Sequence, residues 1–247
     1  MATRSANSSD ESSPARAIYK TTFRTASPYL RRLPLVAEPT QCPESILIHK
    51  RAIINRANDI LEKYKLLNNE SSVEILNRRS VYYREDVRLT LFIITAWNDE
   101  SFATWPQAVR EIVDFIEDQT SALPQAILDV EMIAPERVKK KYLGLVGDDP
   151  ALHSAWPSLG SLIQERLELF EATSSHYTSI GLFRLGYSEI EEDNPITVYI
   201  PVEYDSDETE WPVIIDDILS TLASHGWPQL HVHIEHEISF GNMGLLI

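Results

Sequence analysis

Residues 88–106, "RLTLFIITAWNDESFATWP", and residues 195–212, "PITVYIPVEYDSDETEWP", decide how this chain is read. Each opens on an apolar, β-branched run of strand length, crosses a short acidic stretch and closes on Trp-Pro. The residues after each Trp-Pro have helical spacing: Trp105, Val109, Ile112, Val113 and Ile116 in the first, Trp211, Ile215, Ile218, Leu219 and Leu222 in the second. A looser third copy, "WPSLGSLIQERLELF" (156–170), puts Gly160 and Gln164 on the stripe. Proline suits a first helical turn, where its missing N–H is not needed, so each Trp-Pro is expected to open a helix.

The pattern extends outward in both directions. A strand comes after each helix, "ILDVEMI" (127–133) and "LHVHIEH" (230–236), and a shorter one precedes each unit, "SVEILNRR" (72–79) and "TSIGLFRLG" (178–186). Helices over 42–67 and 156–172 stand before those, and weak strands, "LPLVAE" (33–38) and "KYLGLV" (141–146), before the helices. The order is (β)αββαβ, twice. The expected fold is therefore α+β, two pseudo-repeats built as tandem ferredoxin-like halves over residues 33–137 and 138–247, divided within "APERVKK" (134–140). Residues 1–32, Ser-rich and basic, are expected to be a disordered tail.

Composition narrows the function. The 247 residues carry a net charge of −15, which repels phosphate backbones, so no nucleic-acid partner is expected. Residues 1–41 run the other way, six Lys or Arg against three acids. No apolar run reaches the roughly 20 residues of a membrane span, so no membrane partner is expected either. The single cysteine, Cys42, precludes an intrachain disulfide and suits a reducing compartment, the cytoplasm. Cys42 stands before a helix, which can lower a thiol pKa, but the other copies place Trp there, so packing is the expected role.

The candidate chemistry lies in the last strand. His231, His233 and Glu235 share one face, and two imidazoles with a carboxylate can hold zinc. "GWPQLHVHIEHEISFGNMG" (226–244) also resembles a first cupin motif, with Gly226, His231, His233, Glu237 and Gly244 in its places, but it comes after a helix and no second motif appears. Aligning the halves puts Leu128, Val130 and Met132 on Leu230, Val232 and Ile234, and Asp129 and Glu131 on His231 and His233. A polar face that accepts either residue type is the simpler reading. The open faces would carry Tyr199, His231, His233 and Arg184 in the second half and Phe92, Ile94 and Ala96 in the first, with Tyr199 and Arg184 as candidate ligand-binding residues. The apolar first-half face is expected to pack on the second half or a partner. The acidic loop "YDSDETE" (204–210) lacks the glycine and final Glu of an EF-hand and reads as a solvated connection. No nucleophile elbow, phosphate loop or Cys-x-x-Cys occurs.

Over residues 70–237, "TSIGLFRLG…NPITVYIPVEYDS…WP…LHVHIEHE" resembles a family of filamentous-fungal proteins in which strand–Trp-Pro-helix units recur. The resemblance rests on structural motifs and implies no activity, cofactor or catalytic residue. Together these features predict a non-catalytic α+β module, without a cofactor, that binds a protein or a small ligand or associates with itself. The alternative is a metal-dependent, hydrolase-like enzyme using the His-x-His-x-Glu face.

Overall fold

The computed structural model describes residues 16–38, 42–120 and 128–237. In chain order its strands are β1 (Tyr19–Thr21), β2 (Arg24–Ser27), β3 (Leu35–Glu38), β4 (Ser72–Ser80), β5 (Val87–Ile94), β6 (Asp129–Ile133), β7 (Tyr142–Gly144), β8 (Gly181–Gly186), β9 (Ile196–Val202) and β10 (His231–His236). The helices are α1 (Glu44–Leu47), α2 (Lys50–Lys63), α3 (Ser101–Thr120), α4 (Pro150–Leu167), α5 (Glu171–Ser174) and α6 (Trp211–Ser224). Two sheets form, of order β1-β2-β6-β5-β4-β3 and β10-β9-β8-β7. The fold is mixed α+β.

From β3 and from β7 the two sheets carry the same element order and the same pairing senses. The first two pairs are antiparallel, and the last, β5 with β6 or β9 with β10, is parallel. The strands lie side by side in chain order. A split βαβ unit would insert a strand between the parallel pair, whereas here the helical crossover joins direct neighbours. The ferredoxin-like arrangement expected of each half is therefore not the one adopted.

Each sheet has its own core. Leu91, Ile93, Val130 and Met132 face the buried stripe of α3, where Trp105, Val109, Ile112, Val113 and Ile116 are all at most 1% exposed. Full burial of each such side chain contributes roughly 1.5–3 kcal/mol. The second core gathers Val198, Ile200 and Ile234 against Trp211, Ile214, Ile218 and Leu222, with the α6 stripe rotated slightly from the expected one.

Three local expectations are corrected. Only α6 begins at its Trp-Pro. In α3 the Asn98 side chain accepts from the Ser101 N–H at 3.0 Å, and in α4 Asp149 accepts from the Leu152 N–H at 3.0 Å, so these caps start the helices and Pro106 and Pro157 fall inside them. The helix expected over 42–67 is broken into α1 and α2 at Ile48–His49. Within the expected tail, residues 19–27 form the β1–β2 hairpin, and β2 adds to the edge of β6. The hairpin is anchored by Arg24, which is buried against carboxylates. Cys42 packs on the first core, and burial pushes its thiol pKa up.

Candidate functional site

Where the halves meet, the open face of the six-stranded sheet lies against the carboxyl ends of β9 and β10 and the start of α6. The contact is polar. Arg24 of β2 is fully buried; its Nε and Nη2 donate to Glu131 Oε1 at 3.1 and 2.7 Å, and its Nη1 to Glu208 Oε1 at 2.5 Å. Arg78 Nη1 donates to the other Glu131 oxygen at 2.5 Å. Burial opposes the charge on Arg24, but Glu208 and Glu131 outweigh it and raise its pKa. Burial likewise opposes ionisation of Glu131, and Arg78 and Arg24 reverse that and hold its pKa low. The result is a chain of alternating charges, Glu208–Arg24–Glu131–Arg78, running from the second half into the first.

The acidic loop is only in part the solvated connection expected: Asp205, Asp207 and Glu210 are exposed, but the loop also takes part in the junction. Glu208 is buried in the junction, Asp205 Oδ1 accepts from Arg32 at 2.6 Å, and Tyr204 packs on Tyr82 at 4.7 Å between ring centroids. The basic N-terminal segment and the acidic loop, opposite in charge and far apart in sequence, neutralise each other here.

Beside this chain of charges lies a cavity of about 430 Å³. Leu35, Ala37, Arg78 and Phe92 come from the open face of the first sheet, where strand register places the last three on one side. Trp211, Glu208, Glu235 and His236 come from the second half, and Arg137, Val138 and Lys141 from the connector between the sheets. The Arg78 guanidinium stacks over Phe92 at 4.1 Å. Arg137 differs from the other cations. Among the described residues its side chain has no hydrogen-bond or ion-pair partner, its Nε is buried and unsatisfied, and its guanidinium carbon lies 5.8 Å from the centroid of the Phe23 ring. Burial lowers its pKa, partly offset by the charges of Glu208 and Glu235.

The predicted site residues separate. Strand register puts Asp129 opposite Thr90 and Glu131 opposite Phe92 in one sheet, and His231 opposite Thr197 and His233 opposite Tyr199 in the other. Tyr199, His233 and Glu235 come together around Lys141, a residue that no motif in the sequence marks. The Lys141 ammonium lies 2.9 Å from His233 Nε2 and also pairs with Glu235 Oε2, while Tyr199 OH donates to Glu235 Oε1 at 2.8 Å. Burial lowers the His233 pKa, and its Nε2 also lies 3.1 Å from Glu235 Oε2. Burial would raise the Glu235 pKa, but the contacts with His233 and Lys141 hold it well below the usual carboxylate range. Burial and the adjacent Glu235 raise that of Tyr199.

His231 is exposed and outside this network. A lysine ammonium thus stands on the His233 and Glu235 atoms expected to ligate, and among the described residues no three His, Cys, Asp or Glu are grouped to hold a metal. Arg184 is opposite Ile196, on the helix-covered side of its sheet, and donates to the carbonyls of Glu192 and Asn194 at 3.1 and 2.9 Å. It cannot share a ligand with Tyr199. Gly226, the first position of the cupin-like pattern, ends α6 with φ +88°, a helix C-terminal role. Gly244 lies outside the described residues. No helix among the described residues is long and apolar enough to cross a membrane.

No protein-family model, curated protein or solved structure matches the chain.

Proposed function

We propose that the chain is a binding module without catalytic activity, and that its ligand is a small molecule held in the cavity between the two halves. The observation that carries this reading is the cavity itself. It falls in the size range of small-molecule sites, joins an apolar and aromatic wall to a few convergent polar groups, and sits at a junction of two cores, a preferred place for such sites. It also opens outside the carboxyl ends of a parallel strand pair, the position where open α/β sheets bind ligands. The Lys141–His233–Glu235–Tyr199 network on its flank holds its own charges in pairs and offers no activated nucleophile. It fixes the wall of the site.

The test is a fragment screen by saturation-transfer NMR on the wild type and on Ala37→Trp. Ala37 is exposed on the edge strand β3 at the cavity wall, so the indole fills the space with little cost to the core. Aromatic fragments are expected to bind the wild type and to lose binding in the variant. Absence of binding to the wild type, or equal binding to both, rejects the site.

A further inference from the structure

We infer that the ligand of this cavity is an organic monoanion, a carboxylic acid with a flat apolar body, and that Arg137 is the residue that receives its carboxylate. The inference rests on the cavity being a ligand site and adds the class of ligand.

The charges on the wall decide the sign. Three cations, Arg78, Arg137 and Lys141, face two carboxylates, Glu208 and Glu235. Four of these five are already satisfied: Arg78 by Glu131, Lys141 and Glu235 by each other, and Glu208 by Arg24. Arg137 is left over, in a protein whose net charge is −15 and which therefore has acids to spare. Arg137 is half-buried at the wall, and its Nε is buried without an acceptor, so part of its hydration is lost with no hydrogen bond in return. A planar carboxylate matches the guanidinium fork.

Charge magnitude favours a monoanion. One negative charge brings the wall to neutrality, whereas a phosphate dianion would exceed it and meet Glu208 and Glu235. The remaining wall fixes the body of the ligand. Phe92 and Trp211 offer aromatic surface, and Leu35 and Val138 aliphatic surface, within one space. A flat ring or short apolar chain attached to the carboxylate covers both.

The experiment is calorimetric titration at pH 7 with three probes of one size: 3-phenylpropionate, the neutral 3-phenylpropionamide, and phenyl phosphate. Each is titrated into the wild type, Arg137→Met, Arg137→Lys and Ala37→Trp. The acid is expected to bind the wild type at least tenfold more tightly than the amide, and more tightly than phenyl phosphate. Arg137→Met is expected to abolish the preference for acid over amide, and Arg137→Lys to keep part of it. If the amide or the phosphate binds as well as the acid, or if Arg137→Met leaves acid binding unchanged, the ligand class is wrong. Provided those probes still lose binding in Ala37→Trp, the cavity remains the site. If no probe binds the wild type at millimolar concentration, or if binding survives in Ala37→Trp, the site and the class fall together. The comparison of probes on the wild type stands even if an Arg137 variant fails to fold.

Discussion

Replacing Glu131 by Gln keeps the shape of the side chain and removes the one charge shared by two buried arginines. The carboxylate accepts three hydrogen bonds, two from Arg24 and one from Arg78. Arg24 retains Glu208 after the substitution, but Arg78, 4% exposed, is left without a carboxylate. Removing one member of a buried ion pair costs about 3–5 kcal/mol, because the surviving charge stays desolvated. That is a large part of the roughly 5–15 kcal/mol that holds a domain folded. The assay is urea unfolding monitored by tryptophan fluorescence, with stability taken from midpoint and slope. A second variant, Glu131→Leu with Arg78→Met, removes both charges and is expected to recover most of the loss. Acid should mimic the substitution. The Glu131 pKa is depressed in the fold, so its contribution is complete above the ordinary value of 4.5 and is lost as pH falls through the folded value. The stability curves of wild type and Glu131→Gln should therefore converge at low pH. A loss below about 1 kcal/mol at pH 7 would refute the premise that the charge chain is desolvated.

Asp129 calls for the opposite sign. It is 5% exposed, both its oxygens lack partners, and burial raises its pKa above the ordinary 3.8. The stability it contributes as a neutral acid is present below that value and lost as pH rises through the folded one. Asp129→Asn should thus be more stable than wild type by about 1 kcal/mol at pH 7 and equal to it near pH 3, as read from melting temperatures. In Lys141→Met the His233 pKa should rise, since burial and the lysine charge both lower it; ring-proton NMR titration measures this. The wild type should lose His233's contribution as pH falls below the ordinary 6.5, and the variant should lose less. His231→Ala, at an exposed position, should change stability by no more than about 0.5 kcal/mol in the same melts.

The range of each interaction decides whether the sequence discloses it. The strands over 72–80, 87–94, 196–202 and 231–236 and the buried face of α3 are legible, because a period of 2 or 3.6 residues is a local imprint of burial. The helix starts mislead because Trp-Pro repeats conspicuously, while the working signals are the quieter Asn98 and Asp149. The β1–β2 hairpin is hidden because strands of three and four residues among Ser, Thr and Arg leave too short a period to see. At the site, the grouping of Tyr199, His233 and Glu235 is visible as alternation on paired strands. Arg24, Arg137, Lys141 and Glu208 are not, because a buried ion pair between residues 184 positions apart leaves no mark near either one. The one available hint is a basic N-terminal segment in an acidic chain.

The place of the β1–β2 hairpin in the sheet also sets a timetable. The ribosome makes these two strands before β6, the strand that β2 pairs with, which lies some 100 residues downstream of β2. At roughly 5–20 residues per second, the hairpin waits about 5–20 s for that neighbour. Glu208 emerges later still, some 75 residues beyond β6, so Arg24 remains hydrated until most of the chain has been synthesised. A segment made before both of its partners is among the last to dock.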